Sequence, residues 1–157
     1  MPTKININKQ EVMLQQLTAA FTAIPFNKML GLQLDHVGAD HITMNFDMKN
    51  ELIGNFLHGI LHGGVISSVL DMAGGMAVMA AAVQKHPDAT IEELASVLGK
   101  TSTIDLQISY LRPGKGQTFI AKAWIIKSGN KISFTRMELH NEENILIASG
   151  SGTYLLR

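Results

Sequence analysis

A single carboxylate stands in the middle of a long, nearly uncharged stretch of this chain. Asp71 is the one Asp, Glu, Lys or Arg between residues 55 and 79, a segment otherwise made of glycine, histidine, asparagine, serine and apolar residues. A carboxylate in such surroundings is costly to bury unless it is hydrogen-bonded or has a chemical task. Asp71 is therefore the first candidate for a general base or a nucleophile.

A second candidate is the sequence His62-Gly63-Gly64, in which Gly63 lies eight residues before Asp71. This composition is typical of a helix start, where the first backbone N–H groups have no partner inside the helix. Glycine lets a ligand approach these groups, and the helix dipole favours negative charge there. We expect the N–H groups of Gly63 and Gly64 to polarise a carbonyl oxygen. His62 either contacts the substrate or makes a structural hydrogen bond.

The residues from Val65 to about Gln84 predict one long helix. Its small residues share a stripe with the acid, and its opposite side is wholly apolar. We assign Ser68, on that stripe, to substrate binding. The stripe consists of Gly64, Ser68, Asp71 and Gly75.

Three interpretations of this helix remain open. It is long enough to span a bilayer, although an Asp at its centre costs about 2.5–3.5 kcal/mol on insertion scales. It is alternatively a core helix whose Asp71 is satisfied by hydrogen bonds alone. The third interpretation is an active-site helix, which the glycine-lined stripe around the acid favours.

Composition narrows the function. The 157 residues fit one domain, and 13 Lys and Arg balance 13 Asp and Glu, which argues against nucleic-acid binding. With no cysteine, thiol nucleophiles and cysteine-ligated metals are excluded. The six histidines lack H-x-x-x-H spacing, so we expect no metal site. The first residues lack the apolar core of a signal peptide, which predicts a cytoplasmic protein.

The remaining patterns predict an α+β fold in which an antiparallel sheet curls around the long helix. Asn8 caps a predicted helix over residues 5–24, and Thr90 with Glu93 forms a capping box for a helix over 91–98. Residues 49–56 are expected to form a loop. We expect one domain over 1–157, with a helical arm over 1–30 and a short helical insertion over 85–100. The predicted strands are 32–37, 41–48, 102–110, 118–127, 131–140 and 145–155.

Two segments together resemble a known family. They read N-x(6)-H-G-G-V-x-x-S-V-L-D, from Asn55 to Asp71, and T-I-D-L-Q-I-S-Y-L-R-P-G, from Thr103 to Gly114. They are similar to the hotdog-fold acyl-CoA thioesterases of the PaaI type, most closely the YigI-like group, and the resemblance extends from about Gly31 to the C-terminus.

The resemblance implies hydrolysis of acyl-CoA thioesters in fatty acid metabolism, with medium or long acyl chains. It implies homodimers or homotetramers with the site at a subunit interface, and neither a metal nor a redox cofactor. It places Asn55 near the thioester, in a loop longer than in many relatives, and Thr103 where a hydroxyl orients the attacking water. Arg112, with Pro113 and Gly114, corresponds to a contact for the phosphates of CoA.

Helix geometry agrees with a shared site. Eight residues span about 12 Å of helix, so Gly63 and Asp71 of one chain cannot both touch one thioester. A second, antiparallel copy of the helix would bring its Asp71 beside this Gly63. Two alternatives remain: a hotdog hydratase or dehydratase, and an acyl-CoA-binding regulatory protein without turnover. Free thiol release from acyl-CoA distinguishes the enzyme from the binding protein.

Overall fold

The computed structural model describes residues 8–156 and confirms the predicted α+β fold. A six-stranded antiparallel sheet, in the order β1-β2-β6-β7-β8-β5, is wrapped around one long helix, α3. The helices are α1 Lys9–Ala23, α2 Pro25–Leu30, α3 Gly63–Lys85 and α4 Ile91–Leu98. The strands are β1 Gln33–Val37, β2 His41–Asp47, β3 Ile53–Asn55, β4 Ile60–Leu61, β5 Ser102–Tyr110, β6 Thr118–Ser128, β7 Ile132–Asn141 and β8 Leu146–Leu155.

The core lies between the apolar side of α3 and the concave side of the sheet. Alternation along β2, β6 and β7 turns every second side chain toward α3. Ala121 and Ala123 in β6 are fully buried and small, so α3 can approach the middle of the sheet closely. The buried side of α3 is the side predicted from the sequence: Ile66, Val69, Leu70, Ala73, Met76, Ala77 and Ala80.

Among the described helices, α3 alone is long and apolar enough to cross a membrane. Most of its apolar segment is buried, because the sheet wraps around it. Its apolar composition is therefore explained by its position in the core.

Several local signals act as the sequence predicts. Asn8 caps α1 by accepting from the backbone N–H of Gln10, while the predicted residues 5–7 of that helix lie outside the described range. Thr90 and Glu93 form the capping box of α4. Gly31 ends α2 with φ 72°, a left-handed conformation that favours glycine.

One local prediction was confirmed and one was wrong. Helix α3 begins at Gly63, where the sequence His62-Gly63-Gly64 predicted a helix start, and the side chain of His62 caps it. The predicted loop over 49–56 contains a 3₁₀ turn, Asn50–Leu52, and strand β3, which pairs with β4 as a small hairpin. This hairpin leads directly into the start of α3.

We expect the core to dominate stability. Ile42 in β2 is fully buried, so Ile42→Ala should lower the free energy of unfolding by about 2–5 kcal/mol through the cavity it creates. Ile126 in β6 is 63% exposed, and Ile126→Ala should change that free energy by less than about 0.5 kcal/mol. Urea unfolding of both variants is the measurement; equal losses would contradict the assigned core.

Candidate active site

Two hydroxyl groups hold the carboxylate of Asp71 through one of its oxygens. Thr103 Oγ1 donates to Oδ1 at 2.8 Å, and Tyr154 Oη lies 3.2 Å from Oδ1 and 3.1 Å from the Asp71 carbonyl oxygen. Among the described residues, no donor contacts Oδ2. The carboxylate is thus oriented through Oδ1, and Oδ2 is the oxygen available for chemistry.

Tyr154 reaches Asp71 because two glycines leave room for its ring. A Cβ on Gly74 of α3 would overlap Tyr154 Oη, and a Cβ on Gly152 would lie 2.7 Å from Tyr154 Cε2. Neither position tolerates a side chain without moving the tyrosine. Tyr154 was not predicted from the sequence, since its contact with Asp71 joins residues 83 positions apart. The glycines of the Ser149–Gly152 segment were the available signal.

Tyr154 serves as a hydrogen-bond donor over a wide pH range. Burial is the main cause that raises the pKa of its phenol, and the neighbouring charge and hydrogen bond of Asp71 raise it further. A phenol whose pKa is raised remains protonated at neutral pH. Tyr154 therefore keeps its proton toward Asp71 while the carboxylate is charged.

The position of Thr103 corrects the simple alternation expected for its strand. Polar and apolar residues alternate in the sequence of β5, and strict alternation places Thr103 with Asp105, Gln107 and Ser109 on one side, opposite Ile104, Leu106, Ile108 and Tyr110. A register shift between Thr103 and Asp105 turns Thr103 to the side of α3, where it meets Asp71. The bulge thus converts an outward residue into a partner of the acid.

The start of α3 offers one free backbone N–H. His62 Nδ1 accepts from the N–H of Gly64 at 2.7 Å, so that N–H is not available to a substrate carbonyl, contrary to the sequence-based expectation. The N–H of Gly63 has no acceptor within residues 8–156. Gly54 supports this arrangement, because a Cβ there would overlap the His62 Cα.

Gly63 borders a cavity of about 350 Å³. The ring of Tyr110 covers one side of Gly63, with Cε1 3.4 Å from where a Cβ would lie, and Tyr110 Oη donates to the Gly63 carbonyl oxygen at 3.3 Å. Arg112, Pro113 and Gly114 line the same cavity. The structure therefore brings these three predicted substrate-binding residues to Gly63.

Other predicted residues have structural partners. Ser68 Oγ donates to the carbonyl oxygen of Gly64 within α3, at 2.7 Å. Asn55 Oδ1 accepts from the N–H of Leu57 and closes the loop between β3 and β4. One Arg112 nitrogen, Nη1, donates to the carbonyl oxygen of Leu146, which fixes the exposed guanidinium near the cavity.

The predicted residues form two groups within one chain, and Tyr154 joins the first of them. The acid half-site consists of Asp71, Thr103 and Tyr154, and the helix-start half-site consists of Gly63 and Arg112 with their neighbours. They border different cavities. Two helical turns separate the groups along α3, as the estimate of about 12 Å requires.

The tip of the β1–β2 hairpin carries a cluster of two histidines and one aspartate. The spacing of the six histidines in the sequence had predicted no metal site. His36, Asp40 and His41 place their ligand atoms within 4.8 Å of one another. The two rings stack, with centroids 4.4 Å apart, and His41 Nδ1 lies 2.9 Å from Asp40 Oδ2. The ring planes are inclined by 29°, and the cluster consists of the His41–Asp40 contact with His36 stacked beside it.

Comparison with known proteins agrees with this architecture. Residues 58–148 match the thioesterase superfamily. The chain is 39% identical to the medium/long-chain acyl-CoA thioesterase YigI of Escherichia coli over 133 residues, which cover 85% of this chain and 86% of the relative.

Solved structures give the same result. A thioesterase-superfamily protein from Shewanella oneidensis is 43% identical, has a TM-score of 0.90, and aligns over 94% of this chain and 97% of its own. A thioesterase family protein from Silicibacter pomeroyi, at 21% identity, shares the fold with a TM-score of 0.74 over 92% of this chain and 97% of its own. Sequence, fold and family match agree, and the chain belongs to the thioesterase superfamily.

Proposed function

We propose that this acyl-CoA thioesterase hydrolyses medium- and long-chain aliphatic substrates in a site built by two copies of the chain. Asp71 of one copy acts on the thioester carbon, and the free N–H of Gly63 in the other copy binds the carbonyl oxygen. The observation that carries the proposal is the carboxylate of Asp71, held through Oδ1 by two hydroxyls and free at Oδ2.

One of the two free edges of the sheet, strand β5, supports the shared site. Strand β5 pairs with β8 on one side and has no partner strand within residues 8–156 on the other. A nine-residue unpaired edge is a template for pairing with another chain. Thr103 belongs to this edge, so pairing of two β5 strands would bring a partner close to the acid half-site.

The chemistry follows from the groups present. Oδ2 of Asp71 either takes a proton from a water that attacks the thioester carbon or attacks that carbon directly. Negative charge develops on the carbonyl oxygen, and the Gly63 N–H at the start of α3 stabilises it. The carbon–sulfur bond then breaks, and CoA leaves as a thiolate that takes up a proton. In the direct route the acyl group is left on Asp71 as a mixed anhydride, which a water molecule then hydrolyses to free acid and the Asp71 carboxylate. By either route, the products are a free acid and CoA.

The positively charged part of the helix-start half-site suits CoA. Arg112 is exposed and borders both the Gly63 cavity and an adjacent cleft of about 600 Å³, whose lining also includes His58, Lys115, Glu142 and Glu143. The carboxylate of Glu142 is bound by two backbone N–H groups, those of Gln117 and Thr118. Cationic side chains at such a cleft attract the phosphates of CoA. The apolar chain of the substrate belongs at the opposite half-site, which carries the carboxylate.

The first test measures free thiol release from acyl-CoAs of increasing chain length. We expect hydrolysis by the wild-type protein, best with medium and long chains. Asp71→Asn should keep the fold and lower kcat by about 100- to 10,000-fold, the range for loss of a general base. Asp88→Asn, an exposed aspartate in the loop before α4, should hydrolyse as the wild type does.

Binding of acyl-CoA by the wild-type protein without thiol release would instead identify a regulatory binding protein. Full turnover by folded Asp71→Asn would remove Asp71 from the mechanism.

A second prediction concerns the orientation of the acid. Tyr154→Phe removes a hydroxyl that donates to a carboxylate, so kcat should fall by about 10- to 100-fold with little change in KM. Gly74→Ala should lower kcat similarly, because its methyl group displaces the same hydroxyl.

If both act through that hydroxyl, the double variant should lose less than the product of the single losses. Fully multiplicative effects, or a change confined to KM, would contradict a positioning role for Tyr154.

A further inference from the structure

An apolar cavity of about 180 Å³ lies beside the acid half-site. Asp71, Thr103 and Tyr154 border it at one place, next to Ser102 and Thr101. The rest of its wall comes from the arm that precedes β1 and from α3. These apolar residues are Phe21, Ile24, Met72, Met76 and Met79.

We propose that this cavity holds the acyl chain of the substrate, and that Phe21 and Ile24 form the wall that sets the longest chain accepted. The proposal rests on the proposed hydrolysis of acyl-CoA and adds where the chain lies and what limits it. A thioester carbon within reach of Asp71 has its first methylene groups at the border of the cavity.

Charge determines which part of the substrate enters. None of the described residues lining the cavity is Lys or Arg, and Asp71 repels the phosphates of CoA. Arg112 and Lys115 border the cavities on the helix-start side. The acyl chain is thus the part of the substrate whose chemistry matches these walls.

The side chains that line the cavity differ in how easily they can change conformation. Three methionines form the α3 side, and methionine adapts its shape to irregular apolar groups at low cost. Phe21 is only 5% exposed and packs in the main core, so it cannot move without disturbing α1. Ile24, at the end of α1, is 39% exposed, so its side chain can be shortened without disturbing the core.

Gly75 provides a way to fill the cavity from inside. It lies in the wall between the methionines, and the nearest atom to a Cβ placed there would be Tyr154 Cε1, at an ordinary contact distance of 3.7 Å. A side chain at this position therefore extends into space that the acyl chain would use. Replacing a helix-interior glycine also favours the helix.

The test compares kcat/KM across saturated acyl-CoAs for the wild-type protein, Gly75→Leu and Ile24→Ala. Each buried methylene contributes about fourfold to kcat/KM. A leucine that displaces about three methylenes should therefore lower kcat/KM for long chains by about 60-fold. The loss should increase with chain length, so that the ratio of kcat/KM for long chains to that for short chains falls.

Shortening the side chain of Ile24 should have the opposite effect on chain-length preference. Ile24→Ala should shift the optimum toward longer chains, by about fourfold in kcat/KM per methylene gained. The matched control is Ile91→Ala, in α4, which is 50% exposed and lies outside the cavity. Its chain-length profile should equal that of the wild type.

The outcomes separate this proposal from the proposed function. An active wild type, with the chain-length profile unchanged in both cavity variants, would overturn the acyl-chain cavity and leave hydrolysis intact. A wild type inactive on every acyl-CoA would overturn the proposed function itself. If Gly75→Leu loses activity equally on substrates of every chain length, the Ile24→Ala variant decides between the outcomes. A chain-length optimum that does not shift in Ile24→Ala would then overturn the proposal.

Discussion

The need to hydrogen-bond one carboxylate on an apolar helix constrains much of the structure around it. The backbone N–H groups around Asp71 are used inside α3, so its side-chain donors come from elsewhere, and they come from β5 and β8. Three irregular features then have one explanation. The register shift after Thr103 and the missing side chains at Gly74 and Gly152 let two hydroxyls reach the carboxylate.

Helix geometry imposes the second constraint. The start of α3 has an N–H group and a dipole suited to a carbonyl oxygen, whereas the acid follows two turns later. One chain therefore carries two separate groups, each with a cavity of its own. In the proposed dimer, a second copy would complete both at once, because an isologous pairing would bring each group against the other group of its partner.

The sequence alone predicted what depends on neighbours along the chain. The long helix, its buried side, the caps at Asn8 and Thr90 and most strand positions follow from periodicity and local hydrogen bonding. The lone carboxylate in an apolar stretch and the sequence His62-Gly63-Gly64 made Asp71 and the helix start the candidate site residues, and the family resemblance agreed. These features need no knowledge of distant residues.

Features that depend on tertiary contacts or on side-chain conformation were missed or wrong. The bulge that turns Thr103 toward α3 interrupts the alternation on which strand prediction relies. Tyr154 meets Asp71 only because β8 folds back over α3. The N–H of Gly64 was expected to be free, but it donates a hydrogen bond to Nδ1 of His62. Each of these features depends on a tertiary contact or a side-chain conformation, which the spacing of residues in the sequence does not reveal.

The most direct test of the shared site mixes two inactive variants. Gly63→Val obstructs the free N–H, and Asp71→Asn removes the acid, so each homodimer has both of its sites broken. A mixed dimer has one site built from intact halves and one with both defects. Random exchange gives about half mixed dimers, so activity should return to roughly a quarter of the wild-type level per subunit.

Differential tags would verify that subunits have exchanged, and each variant exchanged with itself should stay inactive. Recovery near a quarter of wild-type activity is the result that the shared site predicts. Verified mixed dimers that remain as inactive as their parents would contradict it, and would place Gly63 and Asp71 in separate functions of one chain.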